Sequence, residues 1–427
     1  MKACKAVYTL AVLCLAAVTA VAAETESQRW TAEAANNWYA KQPWLVGSNY
    51  LPASAINELE MWQAATFDPK RIDREFSWAE GLGMNTMRVF LHDLLWQQDS
   101  AGFRKRINTF LNISQRHGIK PIFVLFDSCW DPFPKLGPQH KPVPGVHNSG
   151  WVQSPGANAL TDPSQYPRLQ AYVEGVVAAF AHDDRILAWD IWNEPDNRNG
   201  SSYGAKEPKN KDELVLALLP QAFAWARNAH PQQPLTSGVW QGNWGKDQPV
   251  EPMSKLQLEL SDVITFHNYG PPEDFEKHVA SLKPYGRPLI CTEYMARGVH
   301  STFEGILPIA KREKIGAINW GFVAGKSQTF YPWDSWQNPY VHRKPAVWFH
   351  DIFYRNGRPY DPREVAFIRQ MTGVAEGHRK VAAAAFNPAP SHSTILPSAP
   401  RTAFPVAGRF LSPRAPVFPL RPVPLPL

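Results

Sequence analysis

Two glutamates stand at the ends of short apolar runs in this sequence. Glu194 ends the run ILAWDIWNE and is followed by Pro195, and Glu293 lies near the end of the run PLICTEYM. Short apolar runs that stop at a breaker are typical of interior strands in a parallel sheet, and proline ends the ladder because it has no N–H to donate. Both carboxylates are therefore predicted at the carboxyl ends of strands, where parallel α/β folds carry out acid–base chemistry.

The spacing of the two glutamates predicts that they face each other. Positions 194 and 293 are 99 residues apart, which corresponds to three strand–helix units at roughly 30 residues each. Glu194 would then lie on strand 4 and Glu293 on strand 7, across the mouth of a barrel. Two carboxyl groups at one mouth are what glycosidic cleavage requires, one to protonate the leaving oxygen and one to act as base or nucleophile. Each glutamate taken alone is also compatible with a salt-bridged rim residue.

Three further strand ends carry side chains that suit such a site. Arg88 lies inside the apolar run NTMRVFL, where a charge needs a partner. We expect it to pair with Glu293 and to hold that carboxylate ionised, although another acid is the alternative partner. His267 and Tyr269 are two residues apart and so point to one face of strand 6, where the tyrosine hydroxyl can reach Glu293. Trp320 ends strand 8 and could form the floor under a sugar; a satisfied rim histidine and a core tryptophan are the simpler interpretations of His267 and Trp320.

The elements that must position these residues alternate along the chain. Helix-like segments separate most of the strand-like runs; residues 69–83, for example, follow Asp68 as an N-cap, begin with a proline and end at Gly83. About eight alternations predict parallel βα units and an α/β fold of the (β/α)8 TIM-barrel type. A doubly wound open sheet is the alternative, but it calls for a Gly-rich phosphate turn that GSNYLPAS lacks. The strand-like runs cover residues 44–50, 84–91, 119–127, 186–194, 234–240, 263–269, 288–295 and 317–323.

The two ends of the chain differ from its middle. Residues 1–23 combine Lys2 and Lys5 with a short apolar stretch and small residues, which predicts a signal peptide rather than a membrane anchor. Residues 379–427 contain 11 prolines, 6 Lys or Arg and no acidic residue, which predicts a disordered tail. The catalytic barrel is expected over residues 24–378, and the mature protein is expected to be secreted or periplasmic.

Charge and cysteine content argue against several other classes of protein. The chain carries 44 basic and 38 acidic residues, a net charge of +6, but its two ends are basic and the barrel between them is slightly acidic. We therefore expect no nucleic-acid binding. Cys129 and Cys291 are the cysteines left in the barrel, which gives neither a disulfide framework nor a CxxC metal motif. The expected partner is a carbohydrate substrate, with no metal or organic cofactor, no membrane contact after signal cleavage, and a monomeric state.

The ordered set of strand-end residues resembles the TIM-barrel clan of glycoside hydrolases that includes family 5, the cellulase and mannanase family. The resemblance runs from Trp44 to Met371. It implies that Glu194 is the acid/base, that Glu293 is the nucleophile and that Asn193 binds the sugar 2-hydroxyl. The implied mechanism is retaining, with carboxyl groups about 5–5.5 Å apart, a raised pKa for Glu194 and a low one for Glu293 beside Arg88. The matching residues are Arg88, Asn193, Glu194, Pro195, His267, Tyr269, Glu293 and Trp320.

The sequence says less about the substrate. Family 5 members often carry a histidine at the end of strand 3, where this chain has Asp127, and we expect His92 after strand 2 to occupy similar space. Loop tryptophans such as Trp240 and Trp333 suggest a glycan cleft, since sugars stack on flat rings, although loop packing explains each one equally well. The expected substrate is a β-linked oligo- or polysaccharide of the glucan, mannan or xylan class.

Three other functions compete with hydrolysis. A non-catalytic glycan-binding barrel would keep the tryptophans but tolerate loss of either glutamate, and both are retained. A metal-dependent hydrolase needs clustered histidines and aspartates, such as HxH on strand 1, which WLVGSNY lacks. A transglycosylase would use the same residues, and the sequence leaves that alternative open.

Overall fold

The computed structural model describes residues 29–374, which belong to one compact unit. The predicted signal peptide, residues 1–23, and the predicted tail, residues 379–427, lie outside the described residues. Between residues 29 and 374, no helix combines the length and the apolar character that a membrane crossing requires.

Eight parallel strands form one sheet in the order β5-β4-β3-β2-β1-β8-β7-β6. Strand β1 pairs with both β2 and β8, and a parallel bridge between Val239 and Phe266 joins the loop after β5 to β6. The bridge comprises hydrogen bonds from the Val239 amide to the Thr265 carbonyl (3.1 Å) and from the His267 amide to the Val239 carbonyl (2.9 Å). The predicted TIM barrel is confirmed, and the doubly wound sheet is wrong because the strands curl into a ring. The strands are β1 (Val46–Asn49), β2 (Thr86–Phe90), β3 (Lys120–Asp127), β4 (Ala188–Asn193), β5 (Leu235–Thr236), β6 (Ile264–His267), β7 (Leu289–Glu293) and β8 (Gly316–Asn319).

Helices fill the crossovers between these strands. The predicted helix after β1 begins at Pro69, and the Asp68 side chain caps it by accepting a hydrogen bond from the Arg71 amide at 3.0 Å. The helices are α1 (Ala32–Ala40), α2 (Glu58–Trp62), α3 (Pro69–Glu80), α4 (Asp93–Arg116), α5 (Ala157–Leu160), α6 (Tyr166–Ala179), α7 (Lys211–Asn228), α8 (Pro252–Leu260), α9 (Pro272–Leu282), α10 (Phe303–Arg312) and α11 (Pro362–Thr372).

Each predicted strand is present, but every ladder except β3 ends earlier than its apolar run does. Strand β4 ends at Asn193, and Glu194 adopts a φ of 42°, in the left-handed region that non-glycine residues seldom occupy. Strand β6 ends at His267 after a register shift, and β8 ends at Asn319. The prediction that Tyr269 and Trp320 belong to strands is therefore wrong, since both stand on the loops that follow.

An aromatic cluster fills the space between the barrel and the helices that follow β1 and β2. Phe110 of α4 lies at its centre and is fully buried. Its ring centroid is 5.3 Å from those of Trp62 and Phe76, 6.0 Å from that of Phe123 on β3 and 6.5 Å from that of Tyr50. The cluster therefore ties α2, α3 and α4 to the strands that carry the polar residues of the barrel mouth.

We predict that Phe110→Ala lowers the free energy of unfolding by about 3–5 kcal/mol, because the cavity cannot collapse among packed rings. Phe133→Ala is the matched control, since 41% of Phe133 is exposed, and its effect should stay within about 0.5 kcal/mol. Guanidinium-induced unfolding of both variants, followed by tryptophan fluorescence, measures the difference. Equal unfolding midpoints for the two variants would contradict this account of the core.

Candidate active site

Arg88 lies at the centre of the barrel mouth with no exposed surface. Its Nε and Nη2 donate to Asp190 Oδ2 at 3.0 and 2.9 Å, and its Nη1 donates to Glu293 Oε1 at 2.7 Å. The remaining donors reach the amide oxygens of Asn49 (3.0 Å) and Asn193 (2.6 Å). The expected pairing with Glu293 is therefore present, and the alternative of a second acid holds as well, because Asp190 shares the same guanidinium.

Glu293 is held by donors on both of its oxygens. Arg88 occupies Oε1, and the Tyr269 hydroxyl donates to Oε2 at 2.6 Å. The carboxyl group is 4% exposed, so its orientation is fixed by these two contacts and by packing. Since a guanidinium can only donate, Oε1 must act as an acceptor, as it does in an ionised carboxylate.

Glu194 has neutral partners instead. His267 Nδ1 lies 2.9 Å from Oε1, while the Asn197 amide and the Cys129 thiol donate to Oε2 at 2.7 and 3.2 Å. Burial raises the pKa of the Cys129 thiol well above its ordinary value, so the sulfur keeps its proton and remains a donor. The left-handed backbone at Glu194 turns the side chain out of the strand and into this group of donors.

Asn193, which precedes Glu194, is hydrogen-bonded to Asp127. The Asn193 oxygen accepts from Arg88, and its nitrogen donates to Asp127 Oδ1 at 2.9 Å. Asp127 Oδ2 accepts from Trp151 Nε1 at 2.5 Å. Burial raises the pKa of Asp127 to about 6, although these donors oppose the shift. Both side chains line the cleft, so each is fixed at a position that a bound ligand can reach.

The two glutamates approach each other closely. One oxygen of Glu194, one oxygen of Glu293 and one nitrogen of His267 lie within 4.8 Å of one another. This close approach of the oxygens fits carboxyl groups about 5–5.5 Å apart, as in double displacement, better than the roughly 6.5–9.5 Å that admits a water between them. The same atoms could in principle surround a cation, but Glu293 Oε1 already faces the Arg88 guanidinium at 2.7 Å. The arrangement therefore favours proton chemistry over metal binding.

Burial raises the pKa of both glutamates. The prediction that the pKa of Glu293 stays low is therefore wrong: desolvation is the largest effect, and His267, Arg88 and Tyr269 offset only part of it. Two neighbouring carboxyl groups in one dry site share a proton, because like charges repel. The proton resides on Glu194, since Glu293 has a charged donor and Glu194 has none, and charge-assisted hydrogen bonds are the stronger kind.

His267 is neutral at physiological pH. Burial lowers its pKa to about 4. Its ring lies between the glutamates, with Nδ1 at 2.9 Å from Glu194 Oε1 and Nε2 at 3.6 Å from Glu293 Oε1. It can therefore orient Glu194 without adding a positive charge that would pull the proton from that carboxyl group.

Aromatic rings surround the carboxyl groups in a cleft of about 500 Å³, within the usual size of small-molecule sites. Trp240 and Trp333, which the sequence analysis placed in loops, line it together with Trp320. Trp240 is fixed by a 2.6 Å hydrogen bond from its indole nitrogen to Asp196, and Trp333 packs edge-on against Tyr269 with centroids 5.2 Å apart. The cleft thus offers flat apolar faces beside the polar centre, as a glycan site requires.

His92 does not join the site. It is buried, caps helix α4, and its Nδ1 lies 3.1 Å from Asp93 Oδ1 rather than beside the glutamates. Helix α4 begins directly after His92, and His92 is not among the residues that line the cleft, so the structure does not bring it to the position expected of a strand-3 histidine.

Sequence reasoning missed Asp190, Cys129 and Asn197. Asp190 had the same signal as Arg88, a charge inside an apolar strand. Cys129 and Asn197 lie on loops, and no pattern in the sequence distinguished their partners.

Comparison with known proteins adds independent evidence. The family described as Cellulase (glycosyl hydrolase family 5) matches residues 76–337, more than half of the chain. The chain belongs to glycosyl hydrolase family 5. That membership confirms the resemblance of the strand-end motifs and makes the cleft the active site of a family whose members hydrolyse O-glycosyl bonds.

One curated relative shares part of this family 5 chain. Mannan endo-1,4-beta-mannosidase A of Emericella nidulans is 26% identical over 217 residues, which is 47% of this chain and 50% of the relative. The chain thus spans about half the length of the curated relative that it matches.

Solved structures share the family 5 fold at low sequence identity. GH5_18 from Streptomyces cattleya, in complex with GlcNAc, is 13% identical with a TM-score of 0.51 over 77% of this chain and 80% of that one. The exo-beta-1,4-mannosidase Op5Man5 from an Opitutaceae bacterium is 17% identical with a TM-score of 0.51 over 81% and 61%. The endo-beta-1,4-mannanase from Thermotoga petrophila is 15% identical with a TM-score of 0.50 over 79% and 78%. At these identities the likeness is one of fold.

We predict that Cys129→Ala moves the alkaline limb of the kcat/KM–pH profile upward. The thiol hydrogen bond favours ionised Glu194, so its loss raises the pKa of that acid and keeps it protonated to higher pH. The shift should amount to about one to two pH units, since a hydrogen bond to a charged group contributes about 1.5–3 kcal/mol and one pKa unit is about 1.4 kcal/mol.

Cys291→Ala is the matched control for this profile. That buried thiol donates to the Glu293 backbone carbonyl at 3.2 Å and not to a side-chain carboxylate. The alkaline limb of the kcat/KM–pH profile of Cys291→Ala should stay at the wild-type position. An unchanged or lowered limb in Cys129→Ala would contradict the assigned hydrogen bond.

Proposed function

We propose that the protein is a retaining glycoside hydrolase that cleaves β-1,4-mannosidic bonds. The single observation that carries the reaction type is the approach of Glu194 and Glu293 to within 4.8 Å, with a charged donor on Glu293 alone. The matching curated relative is a mannan endo-1,4-beta-mannosidase, and two of the structural neighbours are mannan-active enzymes by name. These similarities support mannan over the glucan and xylan that the sequence left open.

The geometry supports a two-step reaction. Glu293, ionised beside Arg88 and oriented by Tyr269, attacks the anomeric carbon and forms a covalent glycosyl-enzyme. Glu194 gives its proton to the leaving oxygen in the same step. In the second step Glu194, now ionised, removes a proton from water, which displaces Glu293 and returns the sugar with its original configuration.

The surroundings of Glu194 suit its role in both steps of the proposed reaction. Burial and neutral neighbours keep Glu194 protonated for the first step, and the loss of negative charge from Glu293 in the intermediate lowers the pKa of Glu194 for the second. His267 Nδ1, at 2.9 Å, can accept a hydrogen bond from protonated Glu194 and, in the other neutral tautomer, donate one to ionised Glu194. Asn193 is fixed by Arg88 and Asp127 at the cleft wall, a position from which it can bind a sugar hydroxyl.

Two glutamate variants test the proposed roles. Glu293→Ala should abolish release of reducing sugar from β-mannan. Glu194→Ala should lower kcat/KM on mannan by about 10²–10⁴-fold, the usual contribution of acid–base catalysis. On dinitrophenyl β-mannoside, whose leaving group needs no proton, Glu194→Ala should still form the intermediate, and azide should restore turnover as β-mannosyl azide.

The control and the opposing outcomes are specific. Glu273→Ala removes an exposed carboxylate in the first turn of α9 and should keep wild-type activity. Formation of α-mannosyl azide by Glu194→Ala would reverse the two roles. Activity of the wild type on cellulose or xylan but not on mannan would overturn the proposed substrate.

A further inference from the structure

The loops after β3 and β8 are joined across one half of the barrel mouth. We call residues 128–156 the β3 loop and residues 320–361 the β8 loop. Residues 145–156 of the β3 loop are buried throughout, although connecting segments usually run over the surface. The β8 loop covers part of this segment, and its contacts with residues 143–148 help to close this half of the mouth.

Backbone hydrogen bonds hold the two loops together along their length. The Asn148 amide donates to the Ser327 carbonyl at 2.8 Å, and the His147 amide donates to the Ser335 hydroxyl at 2.9 Å. Breaking one of these hydrogen bonds would leave a buried donor without a partner, which costs free energy. Further bonds join Tyr340 to Gly145, Gln328 to Val143 and Val146, and His147 to Tyr331.

The loop after β1 closes the remaining gap from below. Asn57 Nδ2 donates to the Gly150 carbonyl at 2.8 Å. A Cβ atom on Gly150 would lie 2.2 Å from the Ile56 side chain, and one on Gly325 would lie 2.5 Å from the Ala53 backbone. The three loops therefore interlock without space for a chain to pass between them.

This wall begins directly behind Trp320. The Trp151 ring of the β3 loop packs edge-on against Trp320 with centroids 5.8 Å apart and against Phe90 at 5.0 Å. Its indole nitrogen donates to Asp127, a lining residue of the cleft. Trp151 is 3% exposed, so no second sugar can lie beyond the one that Trp320 supports.

The other half of the mouth is open. Residues after β4 and β5, including Gly200, Ser201, Gln241 and Asn243, are exposed. Within the described chain, the cleft lining comes from β3 to β8 and the loops that follow them, with no residue from the loops after β1 and β2. Glu194 directly follows β4 and so stands at the open side, where the proton donor must meet the leaving group.

We propose that the joined loops close the glycone end of the cleft one sugar beyond the bond that is cut, so that the enzyme removes single mannose units from non-reducing ends. The proposal rests on the proposed function, since it assigns the leaving group to the side of Glu194. A chain that enters from the open side reaches Trp151 with its terminal sugar over Trp320. An internal bond cannot reach the glutamates, because the chain would have to continue through the wall.

The full chain should be tested on β-1,4-mannohexaose and on its borohydride-reduced form at low conversion, with products resolved by anion-exchange chromatography. Mannose and mannopentaose should be the early products from mannohexaose, and mannose and the five-unit alditol those from the reduced substrate. Mannobiose, mannotriose or mannotetraose as early products would overturn the closed glycone end while leaving the mannosidase assignment intact. No cleavage of either substrate or of an aryl β-mannoside would overturn both.

A pair of variants tests whether the wall at Trp151 determines the product pattern. Trp151→Ala removes the ring behind Trp320 and should add mannobiose to at least a tenth of the early product. Val341→Ala, at a side chain of the β8 loop that is 53% exposed, should give the wild-type pattern. A folded, active Trp151→Ala enzyme that still releases mannose alone would overturn the assignment of the wall to Trp151. Should that variant fail to fold, the wild-type product pattern decides the proposal.

Discussion

The buried guanidinium of Arg88 is the interaction on which the barrel mouth depends. It joins β2 to β1 through Asn49, to β4 through Asp190 and Asn193, and to β7 through Glu293. A charge with no exposed surface persists only when it is paired and hydrogen-bonded. Removal of one partner from such a network costs about 3–5 kcal/mol. The contacts that hold the strand ends together are therefore the same contacts that favour an ionised Glu293, the proposed nucleophile.

That network makes the two glutamates unequal although both are buried. Arg88 and Asp190 balance each other, so Glu293 carries the remaining negative charge and Glu194 the shared proton. Neutral His267, Asn197 and Cys129 keep Glu194 in place without a competing charge. The difference in roles thus follows from the charge of the neighbours, and the depth of burial contributes to both groups alike.

The sequence predicted what regular patterns encode. Apolar runs predicted all eight strands. A charged side chain in or at the end of an apolar strand requires a partner or a function, and this requirement identified Glu194, Glu293 and Arg88. The pKa of Glu293 was mispredicted, since the sequence shows a partner but not the loss of solvent. His92 was misplaced because the start of α4 depends on local capping. The contacts between the β3 loop and the β8 loop could not be predicted from the sequence, because they join residues nearly 200 positions apart and no periodic pattern indicates them.

Covalent trapping of the intermediate tests the central claim most directly. The wild-type protein would be inactivated with 2-deoxy-2-fluoro-β-mannosyl fluoride, in which the fluorine slows the second step, and its peptides would be examined by mass spectrometry. The account predicts one added fluoromannosyl group, on the peptide that contains Glu293 and on that side chain. A label on Glu194 or on another residue, or inactivation without a covalent adduct, would contradict the assignment of Glu293 as the nucleophile held by Arg88.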